Sequence, residues 1–187
     1  MRTNYIGIAA GIIAFISLAW PWWTFVMSAE TMGFSVSVDL SVSLYQARAS
    51  AMGMSQTITM DLWFGWAALA LILIAALGAI VGSTIIGKTG KTIILVAGIL
   101  ALLSIIVFAA GLQNELSKAP PASGFPKVGL FSTGSWNLMG TSMDYSSYLT
   151  FGFWLALIAA ILSFISLGKH PITPPAAPPA ATPTPES

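Results

Sequence analysis

Residues 33–45 read GFSVSVDLSVSLY, and the alternation within this stretch sets the first expectation about the fold. From Phe34 to Leu44 every even position is apolar and every odd position is Ser or Asp. A period of two residues over this length predicts a β-strand with one buried face and one solvated face. Longer apolar segments flank the strand on both sides, so its sheet has to form beside a set of helices.

The composition indicates that a lipid bilayer is the solvent of most of this chain. Of the 187 residues, 56% are hydrophobic and 7% are charged, whereas a soluble domain carries about 25% charged residues. The formal net charge of +1 gives no reason to expect a nucleic-acid partner. The chain contains no Cys, which excludes disulfides, thiolate metal sites and Cys nucleophiles.

Four apolar segments are long enough to cross a hydrocarbon core of about 30 Å, which takes about 20 helical residues. None of them contains a charged residue or His, and they cover residues 5–27, 62–86, 92–112 and 148–167. The sequence therefore predicts an all-α membrane bundle of four transmembrane helices.

The charges in the short flanks predict the orientation of these helices. Arg2, Lys88, Lys91 and Lys169 lie in those flanks, and no acidic residue accompanies them. The positive-inside rule places such flanks in the cytoplasm. We therefore expect a multi-pass protein of the cell membrane with cytoplasmic N- and C-termini and two outer connections, 28–61 and 113–147.

The N-terminus leaves an alternative open. Arg2, the apolar run after it and Ser17-Leu18-Ala19 are similar to a signal peptide with a small-x-small cleavage site. The apolar run continues to Met27, which favours a retained span.

Tryptophans cluster near the predicted outer ends of the spans. Their rings are apolar and their N–H groups are polar, so they favour the headgroup region as interface anchors. The expected anchors are Trp20, Trp22, Trp23, Trp63, Trp66 and Trp154.

The outer connections are predicted to form a small extracellular antiparallel β-sheet. A second strand is expected at Met54–Met60, after a turn region at Gln46–Gly53. The second connection supplies further material at residues 125–131 and in a Gly- and Ser-rich stretch that continues through Trp136. More than two strands are needed because a lone hairpin is marginal in water. The polar face of the first strand is either a solvated surface or a docking surface for another chain, and comprises Ser35, Ser37, Asp39, Ser41 and Ser43.

Small residues recur every four positions in the spans, as at Gly7 and Gly11 or Gly78 and Gly82. Such spacing lets helix backbones approach closely. The helices that approach each other at these small residues belong either to one bundle or to two different subunits.

No motif in the chain predicts catalysis, a metal or a cofactor. Residues 82–89 read GSTIIGKT and match the phosphate-binding pattern GxxxxGK[ST], but the first Gly lies in an apolar span and no strand precedes it. We therefore expect no nucleotide. The acidic residues are scattered, and the single His, His170, lies beside the C-terminal tail, so no nucleophile–base pair is evident. The tail, residues 171–187, is rich in Pro and is predicted to be a disordered cytoplasmic tether or a ligand for a proline-reading partner.

The layout resembles the claudin and peripheral-myelin-protein superfamily. Four spans, cytoplasmic termini, a strand-bearing first outer loop and Trp residues at the end of the first span carry the resemblance, together with YLTFGFWLALIAAILSFISL at 148–167. The chain lacks that family's Gly-Leu-Trp motif and its pair of first-loop Cys residues. The resemblance implies four helices with an outer sheet, and a role in adhesion, in barrier formation or as an accessory subunit.

These observations predict a non-enzymatic membrane protein. It would act as an accessory, scaffold or adhesion subunit whose outer sheet binds a membrane-protein partner or a second copy. The alternative is a channel or transporter subunit for a small or neutral solute, with a polar path between helices. An enzyme acting on lipid is a third reading, and it lacks a nucleophile–base pair.

Overall fold

A computed structural model describes residues 3–31, 34–51, 53–58, 62–118, 127–138 and 141–170. Within these residues the chain forms four α-helices and one antiparallel sheet of six strands. Met1, Arg2 and the tail at 171–187 lie outside the described residues, so the tail prediction stays a prediction. The predicted combination of a helical bundle with an antiparallel sheet is confirmed.

The helices are α1 (Tyr5–Ile16), α2 (Trp63–Thr84), α3 (Lys88–Lys118) and α4 (Phe151–Gly168). By length and composition, α2, α3 and α4 could each cross a membrane. The shorter apolar segment Tyr5–Ala19 comprises α1 and one turn of 3-10 helix. Each helix packs on the next around a ring, because α1 contacts α2 and α4, and α3 contacts α2 and α4.

The bundle has two distinct ends. The sheet end is where α1 and α3 finish and α2 and α4 begin, and every strand connects there. The hairpin end holds the short α2–α3 turn, where Gly87 adopts a φ of 99°. Only glycine adopts this conformation without steric cost, which allows a three-residue reversal between two long helices.

The first apolar segment is divided between helix and strand, contrary to the predicted span at 5–27. The helix ends at Ile16, the 3-10 turn ends at Ala19, and a strand begins at Trp23. Pro21 has no N–H and cannot continue a helix. The following residues instead pair with the next strand in the chain, at Phe34–Val42, and with a strand at Thr141–Leu149 that is remote in sequence. Hydrophobicity alone could not separate the helix from the strand, since apolar residues run through both.

The strands are β1 (Trp23–Thr31), β2 (Phe34–Val42), β3 (Ala47–Ala51), β4 (Met54–Ile58), β5 (Ser132–Leu138) and β6 (Thr141–Leu149). Their order across the sheet is β4-β3-β2-β1-β6-β5. Both connections therefore contribute to one sheet, with the first strand after α1 paired to the last strand before α4.

Three boundaries differ from the sequence expectation. The predicted turn at Gln46–Gly53 contains β3, because Ser43 and Gln46 close a tighter turn by a backbone hydrogen bond of 2.9 Å. In the second connection, residues 127–131 form no strand, and the pairing begins at Ser132, inside the Gly- and Ser-rich stretch that the sequence also indicates. The predicted fourth span begins three residues late, because Tyr148 and Leu149 belong to β6.

The even positions of β2 face inward, as the alternation predicts. Val42 and Leu44 are buried, and Leu40 packs against the same core. The register aligns this face with Trp23 and Phe25 of β1. Leu116 of α3 and the segment carrying Val128 and Leu130 pack against this core.

Trp22 joins the sheet to the bundle. Its side chain is fully buried, and its ring makes edge contacts with Phe108 of α3 at 5.1 Å and with Phe153 of α4 at 6.0 Å between centroids. Its backbone N–H donates to the carbonyl of Val42, and its carbonyl accepts from the N–H of Thr150. One residue therefore links β2, α3 and α4.

Gly152 allows a close approach of α4 to the segment around Trp22. A Cβ at Gly152 would lie 2.7 Å from the carbonyl oxygen of Trp20 and would overlap the Trp22 ring. We expect Gly152→Ala to lower the free energy of unfolding by about 1–3 kcal/mol, because backbone atoms cannot move aside cheaply. Thermal unfolding in detergent, followed by tryptophan fluorescence, measures the change.

Gly168→Ala is the matched control, since a Cβ there meets nothing within 4 Å. It should leave the melting temperature unchanged or raise it slightly through helix propensity. Equal melting temperatures for the two variants would contradict the close packing at Gly152.

Candidate functional site

One face of the sheet is dominated by hydroxyl side chains across all six strands. The register places the odd positions of β2 in line with the even positions of its neighbours. We call this surface the hydroxyl face, and it comprises Thr24, Val26, Ser28, Ser37, Asp39, Ser41, Arg48, Ser50, Ser55, Thr57, Thr133, Ser135, Asn137, Ser142, Asp144, Ser146 and Tyr148.

A single cross-strand row shows the extent of this face. It runs across the full sheet through Ser55, Ser50, Asp39, Val26, Ser146 and Thr133. Five strand spacings of about 4.8 Å make the row about 24 Å wide. The hydroxyl face is therefore much wider than the single polar strand that the sequence predicts. The added width comes from Ser and Thr residues of β3, β4, β5 and β6, which lie in register with β2 across the sheet.

The structure places three of the five predicted face residues on this surface. Ser37 is exposed, Asp39 and Ser41 are half-buried, and the Ser41 hydroxyl donates to the carbonyl of Arg48 at 3.4 Å. Ser43 lies beyond the end of β2, in the turn before β3. The backbone of Ser35 pairs with Glu30, and its side chain is outside what the structure describes.

The two edge strands are β4 and β5. Every residue of β4 is exposed, and within the described residues no further strand pairs with either edge. The two strands read MSQTI and STGSWNL, without a charged residue or Pro. Proteins commonly protect sheet edges with Lys, Pro or a bulge. These edges lack charge and Pro, which leaves them suited to pairing with another chain.

Four of the six predicted anchor tryptophans are exposed at the sheet end. Trp20, Trp63, Trp66 and Trp154 are between 46% and 58% exposed. Trp20 directly follows the 3-10 turn, and the other three lie in the first turn of α2 or α4. These positions suit a headgroup region if the bundle crosses a bilayer.

Trp22 and Trp23, which were also predicted to be interface anchors, instead lie in the core. Both are buried, and their ring nitrogens donate to carbonyls of Ser17 and Leu130, at 3.1 and 3.2 Å. Burial of the indole is favourable here because its only donor is satisfied within the protein.

A buried polar cluster lies at the hairpin end. Asn4 caps α1 by accepting from the N–H of Gly7, and its amide donates to the carbonyl of Ser166 at 2.9 Å. The same amide nitrogen lies 3.4 Å from Nδ1 of His170. Asn4 also donates its backbone N–H to Ser83. The cluster therefore ties the start of α1 to the ends of α2 and α4.

His170 is part of the folded bundle. It is 5% exposed, and its Nε2 has no hydrogen-bond partner within the described residues. A Cβ at Gly90 would lie 2.8 Å from this Nε2, so the imidazole fills the space that this glycine leaves at the start of α3. Sequence reasoning placed His170 beside a tail and did not identify Asn4, because their contact joins positions 166 residues apart.

The phosphate-loop pattern at 82–89 has a different geometry. Gly82 lies in α2, Gly87 in the turn, and Lys88 opens α3. Gly82 packs closely on Ile94 and on the carbonyl of Gly90. The motif requires a strand, a phosphate-binding loop and a helix, whereas these residues form a helix hairpin.

No protein-family model matches the chain, and no curated protein matches it. Within the described residues no group of three His, Cys, Asp or Glu could hold a metal ion.

We expect Asn4→Ala to lower the free energy of unfolding by about 1–2 kcal/mol, because it removes a helix cap and leaves buried polar atoms without a partner. The readout is thermal unfolding in detergent. Asn137→Ala, at an exposed position of β5, is the control and should have little effect. An unchanged melting temperature for Asn4→Ala would refute the structural role of the cluster.

Proposed function

We propose that this protein is a multi-pass membrane protein of the claudin-like architecture, and that it binds another protein through its sheet. It acts as an accessory, scaffold or adhesion subunit and catalyses no reaction. The observation that carries the proposal is the sheet itself: a broad hydroxyl face between two edges that lack charge and Pro.

Charge and tryptophan placement support the orientation. Lys88, Lys91 and Lys169 lie at the hairpin end, where the described residues include no acidic side chain. The exposed tryptophans lie at the opposite end. The positive-inside rule then puts the hairpin end and both termini in the cytoplasm, and the sheet outside.

The edges favour β-strand addition as the mode of binding. An added strand gains backbone hydrogen bonds from the edge, and side chains on alternate positions then set specificity. Neither edge offers the charge that would repel such a strand. The hydroxyl face beside the edge supplies further hydrogen-bond partners.

The strand directions limit how a second copy could add. The six strands alternate in direction, so β4 and β5 run in opposite senses. Copies with the same membrane orientation can therefore pair β5 with β4 in antiparallel fashion. A two-fold axis along the strands would make β4 pair with β4 in parallel, which is slightly less stable per residue.

The buried serines give the channel alternative no support. Ser17, Ser83, Ser163 and Ser166 each donate to a carbonyl within their own helix segment. Ser104 donates to the carbonyl of Ala68 across the α2–α3 contact. Hydroxyls that are satisfied by the backbone stabilise helix packing and do not present a polar path to a solute.

The test is crosslinking of a tagged full-length chain in native membranes, followed by mass spectrometry. We expect links from Lys118 or Lys127, which are both exposed near the sheet, to a partner or to a second copy. Gln56→Lys with Ser135→Lys places charge on both edges and should reduce the linked product about tenfold or more. Ser37→Lys with Ser41→Lys tests the hydroxyl face in the same way.

Thr89→Lys is the control, because it adds one exposed charge at the hairpin end, away from the sheet. Melting temperatures establish that each variant folds. If the edge variant and the face variant each gave as much crosslinked complex as the unchanged chain, binding through the sheet would be refuted.

A further inference from the structure

An apolar groove runs between α2 and α3 on the outer surface of the bundle. Its volume is about 230 Å³. Ile74 and Gly78 of α2 line one wall, and Thr92, Val96 and Leu100 line the other. Gly78 lets the two helices approach closely at the groove, because a Cβ there would lie 3.3 Å from the Cβ of Ala97, which also lines it.

The groove is unsuited to water. Its only polar side chain is that of Thr92, whose hydroxyl donates to the carbonyl of Lys88 at 3.1 Å. A buried water molecule needs two to four polar partners, and the other residues that line the groove have no polar side chain. The volume is also below the range of about 300–1,000 Å³ that encloses most small-molecule ligands.

The dimensions of the groove fit one acyl chain. Thr92 and Leu100 are eight positions apart on α3, which is about 12 Å along a helix. Val96 lies midway between them on the same face. A linear hydrocarbon can fill such a trough without leaving a polar group unpaired.

Positive charge lies at one end of the groove. Lys88 is one turn before Thr92 on the same helix face, and it is exposed. Lys91 is also exposed at this end, and the N-terminus of the 31-residue helix α3 adds a partial positive charge. The described residues at this end include no acidic side chain.

We propose that the α2–α3 groove binds one anionic phospholipid, with an acyl chain between Gly78 and Val96 and the phosphate beside Lys88. The inference rests on the membrane placement proposed above and is independent of binding through the sheet. One acyl chain of the lipid fills the apolar groove, and the negative headgroup of the same lipid lies at the end of the groove that carries Lys88.

The experiment is native mass spectrometry of the full chain in mild detergent. Phosphatidylglycerol and phosphatidylcholine with identical acyl chains are added separately. We expect one retained adduct, with phosphatidylglycerol favoured about fivefold, since one Lys near an anionic headgroup contributes that much. Equal retention of the two lipids would overturn the headgroup assignment.

Two variants locate the site. Gly78→Leu fills the groove and should remove the adduct with both lipids, whereas Lys88→Gln should remove only the preference for phosphatidylglycerol. Gly168→Leu and Lys127→Gln are the controls for volume and charge, because both positions are exposed away from the groove. An adduct that survives Gly78→Leu would place the lipid elsewhere and overturn the proposal.

A photoactivatable acyl chain tests the site without mutation. Labelled peptides should cover residues 74–78 and 92–100, and labelling confined to other helices would overturn the proposal. A dimer peak in place of the lipid adduct, lost in Gly78→Leu, would also overturn it by making a second copy the occupant. Alkaline extraction of membranes tests the membrane placement separately. Release of the chain by alkali would refute that placement, whereas a chain that stays in the membrane but retains no lipid adduct would refute only the groove site.

Discussion

The burial of Trp22 at the junction of helices and sheet is the constraint on which the rest of the structure depends. Its ring fills the space between α3 and α4, while its backbone forms hydrogen bonds with β2 and with Thr150, the residue before α4. Gly152 gives the room for this arrangement. The helix ends and the strands are thereby held in one position, and the sheet cannot pivot freely on the bundle.

This junction determines which face of the sheet is available to a partner. Trp23 and Phe25 continue from Trp22 into β1 and are buried against the end of the bundle. Because side chains alternate along a strand, the opposite face must point away from the helices. The hydroxyl face is therefore presented outward over its full width, and both edges remain at its sides.

The hairpin end is held together by polar contacts. Asn4 and His170 bring the start of α1 to the end of α4, and Gly90 leaves room for the imidazole. Small residues such as Gly78 and Ala97 let α2 and α3 approach closely. The same close approach leaves the groove on the outside of the pair, next to Lys88, so helix packing and the proposed lipid site have one origin.

Local periodicity in the sequence was enough to predict β2, the inward side of its even positions, and the three long apolar helices, because each depends on residues near one another in the chain. The end of α1 at Ile16, the strand at β3, the burial of Trp22 and Trp23, and the contact between Asn4 and His170 were decided by tertiary structure. The strand β3 depends on a tight turn and on its neighbours β2 and β4, whereas the other features depend on partners remote in sequence. Residues 23–27 are apolar enough for a helix, and only pairing with β2 and β6 makes them a strand.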